Sequence, residues 1–471
     1  MKKFLCIVLS VIFVLSAFSV AVSAENVTYE EWKEYYATCD NTKITLTPGK
    51  NETEMNFAWH SVRDGMEKPV VRVSKNADMS DSKEFVGYST FSEIVEQRVN
   101  NVTVTNLEEN TTYYYTYGTS KSQSEAETFR THSFDSYKFL YISDAQPKHD
   151  HDMAESSFRW NRTLEAAFNA NDDISFIVNA GDVTHCGQYT GEWTAFLTPE
   201  YLRSYPMAAT QGNHDQKGTT YKYYFNNPNV FLGIAPTFYG NGYYFTYGDV
   251  LFVFINSNKI NFYDNYLLIK KAAEANPDTK WRVAVMHHDI YGTGHHAVQG
   301  DALAAKRSLA PAFESYDFDV VLTGHDHIFG RSYFMKEEKI VENKGYDEGK
   351  VTDPEGVIYF TQTASSGNTR VLDEGESYDY YWLGKTVVSG NDCYSTIEVT
   401  KDGVMEIITV DTVTGETIDT FTITKTDFTV KEEPMTTGYL GAILKPLMGD
   451  FFVIYEAIYK LSKVIGNLIF G

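Results

Sequence analysis

Five apolar runs, each breaking into a loop of Asp, Asn, His and Gly, constrain this chain more than any other feature. They are KFLYISDAQ, ISFIVNAGDVTHC, YPMAATQGNHD, WRVAVMHHD and FDVVLTGHDH, all beyond residue 136. Runs that are apolar at every position suit strands covered on both faces, as in a largely parallel sheet. Helix-like stretches from Ser157 to Asn169 and from Asn265 to Ala275 lie between them. Strands that end in polar loops and alternate with helices predict an α/β core with its chemistry at the strand ends.

The rest of the chain divides by texture. From about residue 40 to 132, short alternating runs (KITLTP, MNFAWHS, VVRVSK, NVTVTNL, TYYYTYG, AETFRTH) are separated by turn residues such as Pro48-Gly49 and Glu109-Asn110. That pattern predicts a small antiparallel β-sandwich. It holds no chemistry of its own and reads as a spacer or lid. The segment GVIYFTQTAS opens a strand-rich tail that runs through STIEVTKDGVMEIITV to TIDTFTITK and closes the sheet of the same domain. Further on, Phe451, Ile454, Ile458, Leu461, Ile465 and Leu468 fall on one helical face. Polar interruptions at Asp450, Glu456, Lys460 and Lys463 argue against a membrane span. Docking onto the body, self-association and membrane-surface contact stay open for this helix.

The first 24 residues have the layout of a secretory signal peptide. Lys2 and Lys3 precede an apolar stretch from Phe4 to Val20, and Val22-Ser23-Ala24 supplies a small-residue cleavage site. An uncleaved anchor is the alternative. Export to the outside or to the cell surface is the expectation. Losing Lys2 and Lys3 takes the formal charge from −23 to −25. So acidic a surface excludes nucleic acid as a bulk partner, because phosphate backbones need a basic face. A small anionic substrate remains possible where bound dications reverse the local field. Three cysteines outside the signal segment (Cys39, Cys186 and Cys393) permit one disulfide at most.

The five loops are most informative together. SDAQ or GDV alone is an ordinary turn. GNHD is less ordinary, and GHDH places two of the chain's 12 histidines two residues apart. Carboxylate, amide oxygen and imidazole share one competence, the ligation of hard to borderline cations; no thiolate cluster points to a structural zinc. Two Asp, one Asn and at least three His exceed what one ion with open positions needs, and fit two ions sharing a carboxylate.

The ordered set Asp…Gly-Asp…Gly-Asn-His…His…Gly-His-X-His resembles the calcineurin-like metallophosphoesterases. With the preceding sandwich it looks most like the purple acid phosphatases, across about residues 40 to 425. The resemblance implies a sandwich of two mixed β-sheets flanked by helices, preceded by an all-β, fibronectin type III-like sandwich; NLEENTTYYYTYG resembles a fibronectin-type corner. The implied division is 1–24 signal peptide, 25–132 N-terminal β-sandwich, 133–426 metallophosphoesterase domain, and 427–471 linker and amphipathic helix.

Carried over residue by residue, the resemblance implies that Asp144 and His327 bind a first metal and Asp182 bridges both. Asn213, His287 and His325 hold the second. His214, with His295 and His296 of HHAVQGD, would meet the phosphate or the leaving group. Two ions per chain, drawn from Fe, Zn or Mn, and a small phosphorylated substrate follow. The implied reaction is hydrolysis of phosphate monoesters by metal-activated water. A phosphodiesterase or nucleotide pyrophosphohydrolase on the same core is the alternative enzyme, and a non-catalytic surface-binding protein the alternative class.

Two positions depart from the pattern. The tyrosine three residues after the bridging aspartate is replaced by His185, which predicts no purple charge-transfer band. The histidine two residues after the first aspartate is Gln146. Either could ligate metal or only hydrogen-bond to a ligand. His149 and His151 read as an exposed polar loop, and Cys186 as a small buried thiol. His288 and Asp326 should face away from the metals, since strand neighbours alternate.

Overall fold

A computed structural model describes residues 27–39, 44–63, 67–233, 241–258, 262–367 and 378–430. The signal segment and the C-terminal amphipathic stretch lie outside these residues. Among the described residues no helix is long and apolar enough to cross a membrane.

Two four-stranded antiparallel sheets make the N-terminal sandwich. Thr45–Pro48, Met55–Ser61, Gln97–Val104 and Tyr88–Ser92 form one; Lys83–Val86, Pro69–Ser74, Thr112–Thr119 and Glu127–Arg130 form the other. Alternation delivers Leu46, Phe57, Trp59, Val71, Val102, Tyr115 and Phe129 to one core between the sheets. At the corner in NLEENTTYYYTYG, the Tyr113 hydroxyl accepts the Glu108 N–H at 2.8 Å. The sandwich is tied to the larger domain: His60 Nε2 lies 2.8 Å from the Tyr223 carbonyl, and the Tyr115 hydroxyl donates to the Arg203 carbonyl at 2.8 Å.

The larger domain is also a sheet sandwich, of two seven-stranded mixed sheets. The first runs Met207–Ala209, Ile174–Asn179, Tyr137–Ile142, Cys393–Val399, Val404–Asp411, Thr417–Thr424, Lys350–Thr352. The second runs Tyr243–Tyr247, Val250–Ile255, Trp281–Met286, Val320–Thr323, Ile358–Thr361, Phe329–Ser332, Leu383–Val387. Strand-rich as it was read, the tail closes the first sheet: Cys393–Val399 pairs antiparallel with Tyr137–Ile142.

Between the sheets lies an aromatic core that includes Phe139, Phe176, Phe252 and Phe360, all fully buried. The helices Met153–Ala170 and Thr190–Leu197 cover the outer face of the first sheet; Phe262–Ala275 and Gly300–Ser315 cover that of the second. Both faces of each central strand are thereby covered, which is why those runs are apolar without alternation.

Each of the five sequence runs forms a strand within a parallel set. Parallel strands share a direction, so their carboxyl ends meet along one rim and every polar loop opens there. Among the described residues Cys39, Cys186 and Cys393 are free thiols, the last two buried; the disulfide that the count permitted does not form among them.

Candidate metal centre

The loop after Tyr137–Ile142 carries Asp144, that after Ile174–Asn179 carries Asp182, and that after Met207–Ala209 carries Asn213 and His214. His287 follows Trp281–Met286, and His325 and His327 follow Val320–Thr323. Asp144, Gln146, Asp182, His325 and His327 all have positive φ, between 35° and 78°. A left-handed non-glycine residue costs about 1–2 kcal/mol and persists only where its surroundings over-determine it. Five in one place mark strain stored at a site.

Gly181 has φ +103°, and a Cβ on it would stand 2.8 Å from the Gly212 nitrogen and 2.8 Å from His287 Nδ1. A Cβ at Gly212 would overlap Asp182 Oδ1 and its backbone nitrogen. These glycines let the three loops touch.

The loops bring two groups of ligand atoms together. In one, His327 Nε2 is 3.2 Å from Asp144 Oδ1, while Asp144 Oδ2 accepts the His325 N–H at 3.0 Å. In the other, His287 Nε2 lies 3.0 Å from Asn213 Oδ1, 3.3 Å from Asp182 Oδ2 and 3.1 Å from His325 Nδ1. Ligand atoms of Asp144, Asp182 and His287 all lie within 4.8 Å of one another, so the groups are contiguous through Asp182.

Hydrogen bonding fixes which nitrogen of His287 is bare. Its Nδ1 is 3.0 Å from the Ala180 carbonyl and must carry the proton there. The lone pair on Nε2 then faces two oxygens and a further imidazole nitrogen. That donor set fits a cation. With no cation, burial pulls the His287 imidazolium down, but the Asp182 and Asp144 carboxylates outweigh it and hold the group at about 9. Burial alone would raise Asp182; His287 and His214 reverse it and hold the carboxyl far below its ordinary range. His325 moves the other way, lowered by burial and then by His287, His288 and His296. Its Nε2 is buried without a hydrogen-bond partner.

The substrate-side residues lie around this centre. The His214 backbone N–H donates to Asp182 Oδ1 at 2.8 Å, and its Nδ1 sits 3.0 Å from the His185 carbonyl and 2.8 Å from Lys217 Nζ. The His296 ring lies 4.4 Å from that of His325, and His295 packs edge-on against His296. Gln146 donates its amide to Asp182 Oδ2. The His185 ring is 4.4 Å from that of His214, its Nδ1 is buried without a partner, and burial pulls it down to about 4.

His288 Nδ1 is 2.8 Å from Ser257 Oγ and its Nε2 is 3.7 Å from Asp301. Its ring nevertheless lies 4.8 Å from that of His325, and ligand atoms of His288, Asp301 and His325 lie within 4.8 Å of one another, so it does not turn away from the site as alternation predicts. His149 lies in an exposed turn, as expected, yet it is not without partners: its ring stacks on Tyr189 at 3.7 Å and its Nδ1 meets the fully buried Glu192 carboxylate at 2.7 Å.

Sequence reasoning gave no role to Asp215. Its Oδ1 accepts the Thr184 N–H at 2.9 Å and the Thr184 hydroxyl at 3.1 Å; its Oδ2 accepts the Val183 N–H at 3.2 Å and the Gly212 N–H at 2.9 Å. It binds the Asp182 loop to the Asn213 loop. Burial and then the neighbouring Asp182 raise its carboxyl to about 7.

Residues 137–329 match the profile of the calcineurin-like phosphoesterase family, and residues 41–131 match that of the purple acid phosphatase N-terminal domain. The domain that carries the site is a calcineurin-like phosphoesterase domain. The phosphoesterase shares its fold with two solved structures. One is purple acid phosphatase PPD1 from yellow lupin (Lupinus luteus) seeds, at TM-score 0.64 and 15% identity, covering 84% of this chain and 77% of that one. The other is PhoD, at TM-score 0.57 and 14% identity, covering 85% and 93%. No curated protein matches the chain significantly in sequence. As a calcineurin-like phosphoesterase it is a metal-dependent hydrolase of small phosphorylated substrates.

Proposed function

We propose that this phosphoesterase hydrolyses phosphate monoesters at a two-cation centre outside the cytoplasm. The observation that carries the reading is Asp182. One buried carboxylate is shared between a group offering Asp144 and His327 and a group offering Asn213, His287 and His325. On this reading Asp144 and His327 hold the first cation and Asp182 bridges to the second. Gln146 and His185 either add a ligand or hydrogen-bond to one, as Gln146 does to Asp182. Iron, zinc or manganese suits the mixed oxygen and nitrogen set. Bound there, the cations supply Lewis-acid chemistry, offsetting phosphate charge and acidifying water.

The chain's own residues do the rest. Gln146 and the His214 N–H orient the Asp182 carboxylate by donating to its two oxygens. The Ala180 carbonyl fixes the His287 tautomer. His214, placed by the His185 carbonyl and Lys217, and the His295–His296 pair are assigned to the phosphate oxygens and to protonation of the departing alkoxide. Export rests on the basic, apolar and small-residue layout of residues 1–24. The division at 25–132, 133–426 and 427–471 is proposed on the same footing, with the first part a fibronectin type III-like accessory.

The test compares p-nitrophenyl phosphate with bis-p-nitrophenyl phosphate. The monoester should turn over faster by at least tenfold; preference for the diester would overturn the monoester assignment. Asn213→Ala or His325→Ala should cut either activity by orders of magnitude with the fold intact.

A further inference from the structure

Asp326 stands between His325 and His327 yet faces the other way. It is fully buried. Its Oδ2 accepts the Gly294 N–H at 2.6 Å and its Oδ1 accepts the His296 N–H at 3.2 Å. His296 Nδ1 is 3.9 Å from the same Oδ1. A Cβ on Gly294 would overlap this carboxylate, so the backbone there approaches as closely as glycine allows.

The segment is held from its other side too. The Trp382 indole donates to the Gly292 carbonyl at 3.0 Å, and the Tyr380 hydroxyl donates to the Gly294 carbonyl at 3.1 Å. The Thr293 hydroxyl donates to the Ile328 carbonyl at 2.9 Å, one residue past His327.

Hydrogen bonds from N–H groups to a buried carboxylate are among the stronger ones in proteins, roughly twice a neutral pair. We infer that Asp326 is a positioning residue. It locks the His295–His296 segment to the loop that carries His325 and His327, and so fixes the distance of those imidazoles from the metal centre. Alternation in the Gly-His-Asp-His loop is what permits this: two side chains point at the site while the one between grips the segment that faces the substrate. The inference rests on the reading that His295 and His296 meet the phosphate. A misplacement of about 1 Å costs on the order of a hundredfold in rate.

The experiment uses the purified full chain, with p-nitrophenyl phosphate turnover, inhibition by inorganic phosphate and bound metal measured together. Asp326→Asn should lower kcat/KM by roughly tenfold to a hundredfold and weaken phosphate inhibition, with metal content unchanged. His296→Ala should do the same, and the double variant should be no worse than the weaker single within about threefold, because both changes remove one function. Losses that multiply, loss of metal in Asp326→Asn, or unchanged kinetics in it would overturn the inference while a defective His296→Ala leaves the phosphate-facing reading standing. If His295→Ala and His296→Ala both behave as the unsubstituted enzyme, that reading fails and the inference with it. Should Asp326→Asn not fold, Gly294→Ala separates segment and carboxylate with Asp326 in place. Its losses should likewise not multiply with those of His296→Ala; if they multiply, the inference fails.

Discussion

Gly181→Ala is the sharpest probe of how the loops are joined. Gly181 sits at φ +103°, where an L-residue is strained whatever the space around it. The strain costs about 1–3 kcal/mol. The added Cβ would meet the Gly212 nitrogen and His287 Nδ1, each at 2.8 Å. Restoring ordinary contact at about 3.4 Å moves one loop or the imidazole by roughly 0.6 Å, and such overpacking adds about 1–3 kcal/mol. A total of about 2–6 kcal/mol follows. At roughly 2–4 °C per kcal/mol for a domain of this size, the melting temperature should fall by about 4–24 °C. His287 is a proposed ligand, so turnover should fall between tenfold and a hundredfold. Calorimetry and a steady-state phosphatase assay read both effects. Gly191→Ala is the control, since its Cβ would meet only the flexible Met153 side chain in a helix that favours alanine. If Gly181→Ala melts within about 2 °C of the parent and keeps more than half its activity, the close approach of the three loops is wrong.

Other perturbations follow from particular contacts. Asp215→Asn keeps the volume but turns an N–H against an N–H; with the amide beside Thr184, whose hydroxyl can rotate to accept, one buried donor is orphaned at about 1–3 kcal/mol, read as a lower melting temperature. Chelation should abolish turnover and lower the melting temperature, since ligand binding to the folded chain alone stabilises it; Zn, Mn or Fe should restore both. Burial raises the Glu314 carboxyl to about 7 from an ordinary 4.5. Its protonated form is therefore favoured in the fold, and stability is lost as pH rises from about 4.5 through 7. Glu314→Gln should remove a slope on the order of 2 kcal/mol across that range in denaturant titrations; an unchanged slope would contradict the assignment.

What could be read from the residues is what repeats locally. Apolar runs of five or six residues ending in Gly-Asp, Gly-Asn-His or Gly-His-Asp-His gave the covered strands, their common rim and the side chains gathered on it. Asp326 turns from its flanking histidines to the Gly294 and His296 N–H groups, as alternation suggests, whereas His288, whose strand has already ended, stays 4.8 Å from the His325 ring. What escaped depends on distance along the chain. Asp215 acts on backbone groups 31 and 32 residues earlier, and Asp326 on those of residues 30 and 32 positions earlier. No periodicity encodes a carboxylate that serves another loop's N–H groups. The partner of the exposed His149 was hidden for a related reason: Glu192 is a buried carboxylate 43 residues away.

Elemental analysis of the purified, dialysed chain tests the central claim most directly. Two ions per chain are expected, falling to one or fewer in Asn213→Ala. Fewer than one ion in the unsubstituted protein would contradict the account.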